Sequence, residues 1–153
     1  MSKHSKQAVD YYLNGYSCAQ AMLLAFSDET GLSKDLSLRI SSSFGGVMGR
    51  LREVCGAVTG MFLICGILYG YTDITDPSLK ADHYARVQSL GLEFKNRYST
   101  FICRELLDLD VLHDDPTPEA RTEEYYKKRK CSLYIGTAAE ILDEFIENQR
   151  KEK

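Results

Sequence analysis

The 153-residue sequence predicts an all-α protein, a compact helical bundle around a buried, glycine-rich helix. Three observations carry that reading. Apolar residues recur every three or four positions along most of the chain, as the faces of amphipathic helices do. The two-residue alternation of a half-buried strand is almost absent. One run, Val54 to Thr72, contains no charged residue at all. It is nearly long enough to cross a bilayer, but it holds Gly56, Gly60, Gly66 and Gly70 together with Thr59 and two tyrosines. Its neighbours are amphipathic and need an apolar partner, so the run is read as a core helix rather than a membrane span.

Each element follows in order. Val9, Tyr12 and Leu13 mark an amphipathic helix that Asn14-Gly15 interrupts. Ser17 is placed to cap the next, which runs through Cys18, Met22, Leu23 and Phe26 until Gly31 stops it. A short helix from about Asp35 to Ser43 uses Leu36 and Ile40 as its apolar contacts. Phe44-Gly45-Gly46-Val47-Met48-Gly49 is a glycine-rich turn into the charge-free helix, expected over Val54 to Tyr71 and expected to be the most buried of all. Asp76-Pro77 reads as a helix start with proline at the first position. Tyr84, Val87, Leu90, Phe94 and Phe101 then keep a helical period, and Ser99 or Thr100 resets the cap before Cys103. The acidic stretch Asp108 to Asp115 reads as a surface connection, and Thr117-Pro118-Glu119 as the start of another helix. The last helix sets Ile135, Ala138, Ile141, Leu142 and Phe145 against Glu140, Asp143, Glu144 and Glu147. Residues 1–153 are expected to form one domain, with 1–6 and 148–153 as frayed ends.

The bulk composition narrows the function. A formal net charge of −3 with no dominant basic stripe argues against nucleic-acid binding. The opening Met1-Ser2-Lys3-His4 lacks an apolar secretory segment, which predicts a cytoplasmic protein. In a reducing compartment five cysteines are poor material for permanent disulfides. Metal binding or reversible redox chemistry explains them better.

Four of the five, Cys18, Cys55, Cys103 and Cys131, fall where helices are expected to begin. A helix start offers unpaired N–H groups and about half a positive charge, and both favour thiolate over thiol. Cationic neighbours flank three of them: Arg50 and Arg52 before Cys55, Arg104 after Cys103, and Lys127 to Lys130 before Cys131. Cys65 is different. It follows Cys55 by ten residues within one expected helix, which separates the two by about 15 Å, so it reads as a small core side chain. No CxxC pair is present, and His4, His83 and His113 form no ligand pattern and read as surface residues. The glycines have two readings. Gly56 and Gly60 are four apart, as are Gly66 and Gly70, which leaves a smooth stripe for a neighbouring helix. Alternatively, Gly45, Gly46, Gly49 and Gly56 line a sulfur or anion site with accessible N–H groups.

The ordered set Gly15-Tyr16-Ser17-Cys18-Ala19-Gln20-Ala21, Phe44 to Gly49, Cys55-Gly56-Ala57-Val58-Thr59-Gly60, Cys103-Arg104-Glu105-Leu106-Leu107 and Cys131 resembles the C_GCAxxG_C_C family of redox-active proteins. The likeness spans about Asn14 to Leu142. It places the family cysteines on Cys18, Cys55, Cys103 and Cys131 and the signature motif on Gly56, Ala57 and Gly60, and it leaves Cys65 outside. It implies a redox or metal-linked role and, because members are often encoded beside transporter genes, a transporter as a possible partner. The expected site is therefore Cys18, Cys55, Cys103 and Cys131, supported by Gly45, Gly46, Gly56 and Gly60. Those cysteines would hold an iron–sulfur cluster or zinc, or would undergo thiol–disulfide exchange. A non-enzymatic redox sensor serving a transporter is the alternative.

Overall fold

The computed structural model describes residues 1–153 and contains nine helices. They are α1 (Lys3–Leu13), α2 (Cys18–Ala25), α3 (Ser27–Thr30), α4 (Lys34–Ser42), α5 (Gly56–Tyr69), α6 (Pro77–Tyr98), α7 (Cys103–Leu106), α8 (Glu123–Lys128) and α9 (Cys131–Lys151). The only β pairing is an isolated antiparallel bridge between Val54 and Ile102. No helix is long and apolar enough to cross a membrane.

Local chemistry accounts for most boundaries. The Ser17 hydroxyl accepts from the Gln20 amide at 3.3 Å, and the Gln20 side-chain oxygen accepts from the Ser17 amide at 3.2 Å. This reciprocal cap starts α2. Ser33, Asp76 and Thr122 cap α4, α6 and α8 with one bond each, their side chains accepting from the Leu36, Ser78 and Tyr125 amides. Gly31 and Ser99 end α3 and α6 in the left-handed conformation. Thr100 then accepts from the Ile102 amide at 3.1 Å and donates to Glu105 at 2.7 Å, which turns the chain into α7.

A single core joins the bundle. α2 packs against α1, α4 and α5, α5 against α6 and α9, and α1 against α9. Phe26, Met61, Ile64, Phe94, Ile135 and Leu142 are fully buried there, and truncating any one to alanine would cost about 2–5 kcal/mol. The motif glycines set the α2–α5 spacing. A β-carbon on Gly56 would lie 3.0 Å from the Cys18 Cβ, and one on Gly60 would lie 2.7 Å from the Met22 Cβ.

Several expectations need correction. The charge-free run is helical only from Gly56 to Tyr69, because Val54 is drawn into the bridge and Gly70 ends the helix. It is not the most buried helix: α2 buries six of its eight residues and α5 eight of its fourteen. α2 is enclosed on several sides, whereas the end of α5 emerges at the exposed Ile67. No helix starts at Thr117: Asp115 accepts from the Thr117 amide at 2.9 Å and Glu119 is drawn onto Arg129 at 2.7 Å, and the helix waits for Thr122. The expected frayed ends are helical from Lys3 and as far as Lys151. His4 is buried rather than on the surface, with Nδ1 2.6 Å from Asp143, Nε2 2.8 Å from Asp28 and its ring stacked on Phe26.

The glycine-rich turn takes an unusual form. Gly46, Val47, Met48, Gly49 and Arg50 all have positive φ, between 54° and 72°. Each non-glycine residue there costs about 1–2 kcal/mol. Hydrogen bonds from the Gly49 amide to Gly45 O (3.0 Å) and from the Arg52 amide to Val47 O (3.2 Å) hold the turn. Its effect is to bring Arg50 and Arg52 back over the start of α2.

Candidate thiol site

Each of the four expected cysteines stands at a helix start. Cys18, Cys103 and Cys131 are the first residues of α2, α7 and α9, and Cys55 is the residue preceding α5. The β bridge sets two of them side by side: the Cys55 amide donates to Phe101 O at 2.8 Å, and the Cys103 amide donates to Glu53 O at 2.6 Å. The Gly56 contact holds Cys18 against the start of α5. All four line one cavity of about 50 Å³. Cys65 is fully buried inside α5 and takes no part in that wall. None of the five cysteines is joined in a disulfide.

Position at a helix start does not by itself ionise them. Burial pushes the Cys55 thiol up to about 12 against the opposing pull of the Ala57 and Val58 amides. Burial also raises Cys103, although the Arg52 guanidinium, 3.9 Å from its sulfur, works the other way. Cys18 and Cys131 behave as a pair. The Cys18 thiol donates toward Cys131, which raises Cys18 well above the ordinary thiol range and lowers Cys131 to about 6. Tyr12, Arg129 and Arg121 add to the stabilisation of the Cys131 thiolate against the cost of burial. The buried Tyr12 hydroxyl faces Cys131 without reaching the geometry of a full hydrogen bond. Burial and the negative charge on Cys131 both raise its own pKa. Near neutral pH the cavity thus holds one thiolate and three thiols.

The arginines are fixed by a distant segment. Arg52, nearly buried, donates its Nε to Asp114 at 2.7 Å, and the Asp114 amide donates to Arg50 O at 3.0 Å. The acidic connection lies at the surface as expected, and only Asp114, half-buried, turns inward to the arginines beside the cysteines. Arg129 pairs with Glu119 at 2.7 Å and lies 4.6 Å over the Tyr125 ring. Arg121 lies 4.9 Å over Tyr12 and 5.0 Å over Tyr125. Tyr12, Arg121 and Asp114 have no local sequence signal for this role. Arg52 had one, its closeness to Cys55.

Of the four supporting glycines, only Gly46 lines the cavity. Gly56 and Gly60 meet α2, and a β-carbon on Gly45 would lie 3.1 Å from the Ser17 Cβ. Close packing, rather than N–H groups aimed at sulfur, is what these positions serve. No group of three or more His, Cys, Asp or Glu side chains is arranged to hold a metal ion; a shared metal–thiolate centre would require the sulfurs to draw together.

Fold and cavity define a helical protein that gathers four cysteines from four helix starts around one buried space. Comparison with family models agrees. Residues 16–145 match the model described as "Putative redox-active protein (C_GCAxxG_C_C)", and the chain belongs to that family. Searches of curated proteins and of solved structures give no match.

Proposed function

We propose that the protein carries out thiol–disulfide exchange, cycling Cys18 and Cys131 between dithiol and disulfide. The observation that supports this reading best is that Cys18 and Cys131 line one cavity together with Arg121 and Arg129, whose guanidiniums favour a thiolate at Cys131. An attacking thiol works best when its pKa lies near the ambient pH. Cys131 attacks a substrate disulfide, forming a mixed disulfide and releasing one substrate thiolate. Cys18 then loses its proton to the second leaving sulfur and attacks Cys131, closing the Cys18–Cys131 disulfide. Two protein thiols are oxidised and one disulfide is reduced to two thiols. Cys55 and Cys103, kept protonated by burial, are slower exchange partners.

Anaerobically purified protein provides the test. Alkylation by iodoacetamide followed against pH should show one early-reacting cysteine, identified by peptide mass as Cys131. Mild oxidation should remove two thiols and link Cys18 to Cys131. Tyr12→Phe should move the alkylation profile to higher pH. Stoichiometric iron or zinc bound by the four cysteines would overturn this reading in favour of a metal centre. Oxidation that links two other cysteines first would overturn the assignment of the pair.

A further inference from the structure

Outside the thiol cavity lies a wider cleft of about 420 Å³, within the range that takes a small molecule. The two spaces share Ser17, Gly46, Arg52, Arg121 and Tyr125 in their walls, so the cleft is the approach to the cysteines. Its charge is opposite to that of the chain. Arg50, Arg52 and Arg121 line the cleft, and Arg129 lines the cavity behind it. The carboxylates they meet are Asp114 and Glu119. Four cations against two carboxylates and the Cys131 thiolate still leave an excess of positive charge on a protein whose formal net charge is −3.

The pairing is also incomplete. Arg50 reaches Asp114 only at 3.5 Å and Glu119 only at 4.0 Å, and its buried Nε has no partner. Arg121 is held by aromatic rings and by donation to Tyr16 O at 3.4 Å, with no carboxylate beside it. Guanidinium groups in this state offer donors matched to carboxylate or phosphate oxygens. From this cleft we infer that the substrate is a small anionic disulfide, whose acidic groups are taken by Arg50 and Arg121 while its sulfur–sulfur bond reaches Cys131. This rests on the exchange reaction proposed above and balances in the same way: the small disulfide is the oxidant, and it leaves as two anionic thiols. A folded protein disulfide fits less well, because the cysteines lie behind an enclosed wall rather than on a face.

The test compares three aliphatic disulfides that differ in charge: dithiodipropionate (dianionic), bis(2-hydroxyethyl) disulfide (neutral) and cystamine (dicationic). Mixed-disulfide formation at Cys131 is followed by mass, and each rate is divided by that of a free model thiolate that carries no other charged group. The anionic-to-neutral ratio should reach about tenfold at low salt, the scale of electrostatic steering. It should collapse when salt is raised to about 0.5 M, where screening is short-ranged. Arg50→Gln and Arg121→Gln should each reduce the ratio. A ratio of one or below, or a ratio indifferent to salt, overturns the anionic substrate while leaving the exchange reaction standing. Failure of all three disulfides to react at Cys131 faster than the model thiolate overturns both.

Discussion

Two glycines in one helix give opposite answers to the same substitution. In α5 a β-carbon at Gly60 would sit 2.7 Å from the Met22 Cβ and 3.1 Å from its Cγ, whereas one at Gly66 would meet nothing within 4 Å. Replacing a helix-interior glycine by alanine gains about 0.8–1.0 kcal/mol in propensity. At Gly66 that gain stands alone. At Gly60 it is opposed by overpacking, which costs about 1–3 kcal/mol. Met22 cannot relieve the contact by rotating its side chain, because the Cβ is fixed to the backbone of α2, so the helices must separate. Taking the middle of that range, Gly60→Ala is destabilising by about 1 kcal/mol and Gly66→Ala stabilising by about 1 kcal/mol. The gap of about 2 kcal/mol corresponds to about 1 M in urea midpoint for a slope near 2 kcal/mol per M. Equilibrium urea unfolding of the reduced protein, followed by circular dichroism, reads it directly. Because α2 begins at Cys18, the Gly60 variant should also disturb the Cys18–Cys131 pair and raise the pH at which Cys131 is alkylated. Should Gly60→Ala unfold at the same or higher urea than Gly66→Ala, the motif glycines do not set the helix spacing and the packing argument fails.

Cys65→Ala should leave both the alkylation profile and the thiol loss on mild oxidation unchanged, while costing about 1 kcal/mol of stability for the small space left in the core; loss of thiol cycling with the fold intact would refute its exclusion. The stability of the reduced protein should pass through a maximum near pH 8–8.5. Between about pH 6 and the unfolded thiol value of about 8.5, the unfolded chain keeps a proton that folded Cys131 has lost, so stability rises with pH. Above about 8.5 the unfolded thiols ionise while folded Cys18 and Cys55 stay protonated, and stability falls. Urea midpoints measured anaerobically across this range check the shape, and Cys131→Ser should remove the rising limb.

Helix starts and stops were legible in the sequence because their causes lie within a turn of the residues concerned. Ser17 and Gln20 cap α2 from three residues apart, Asp76-Pro77 opens α6, and Gly31 closes α3. The same locality placed four cysteines at helix starts and kept Cys65 in the interior of α5. The missing helix at Thr117 and the left-handed turn at Gly46 to Arg50 were not legible. In the first a local start signal lost to the pairing of Glu119 with Arg129 ten positions on, and the second, besides its own hydrogen bonds, is tied by Asp114 from far along the chain. Tertiary structure alone decided which sulfur is ionised. A helix start confers a similar field on each of the four, yet burial overrides it at Cys55 and Cys103. Only Cys131 receives the Cys18 thiol, Tyr12 and two arginines together. Those groups come from two helices and from the connections on either side of α8, up to 119 positions away (Tyr12 to Cys131), and a pKa is set by what surrounds an atom in space. The sequence supplied the thiols; the packing of distant segments over them selected the reactive one.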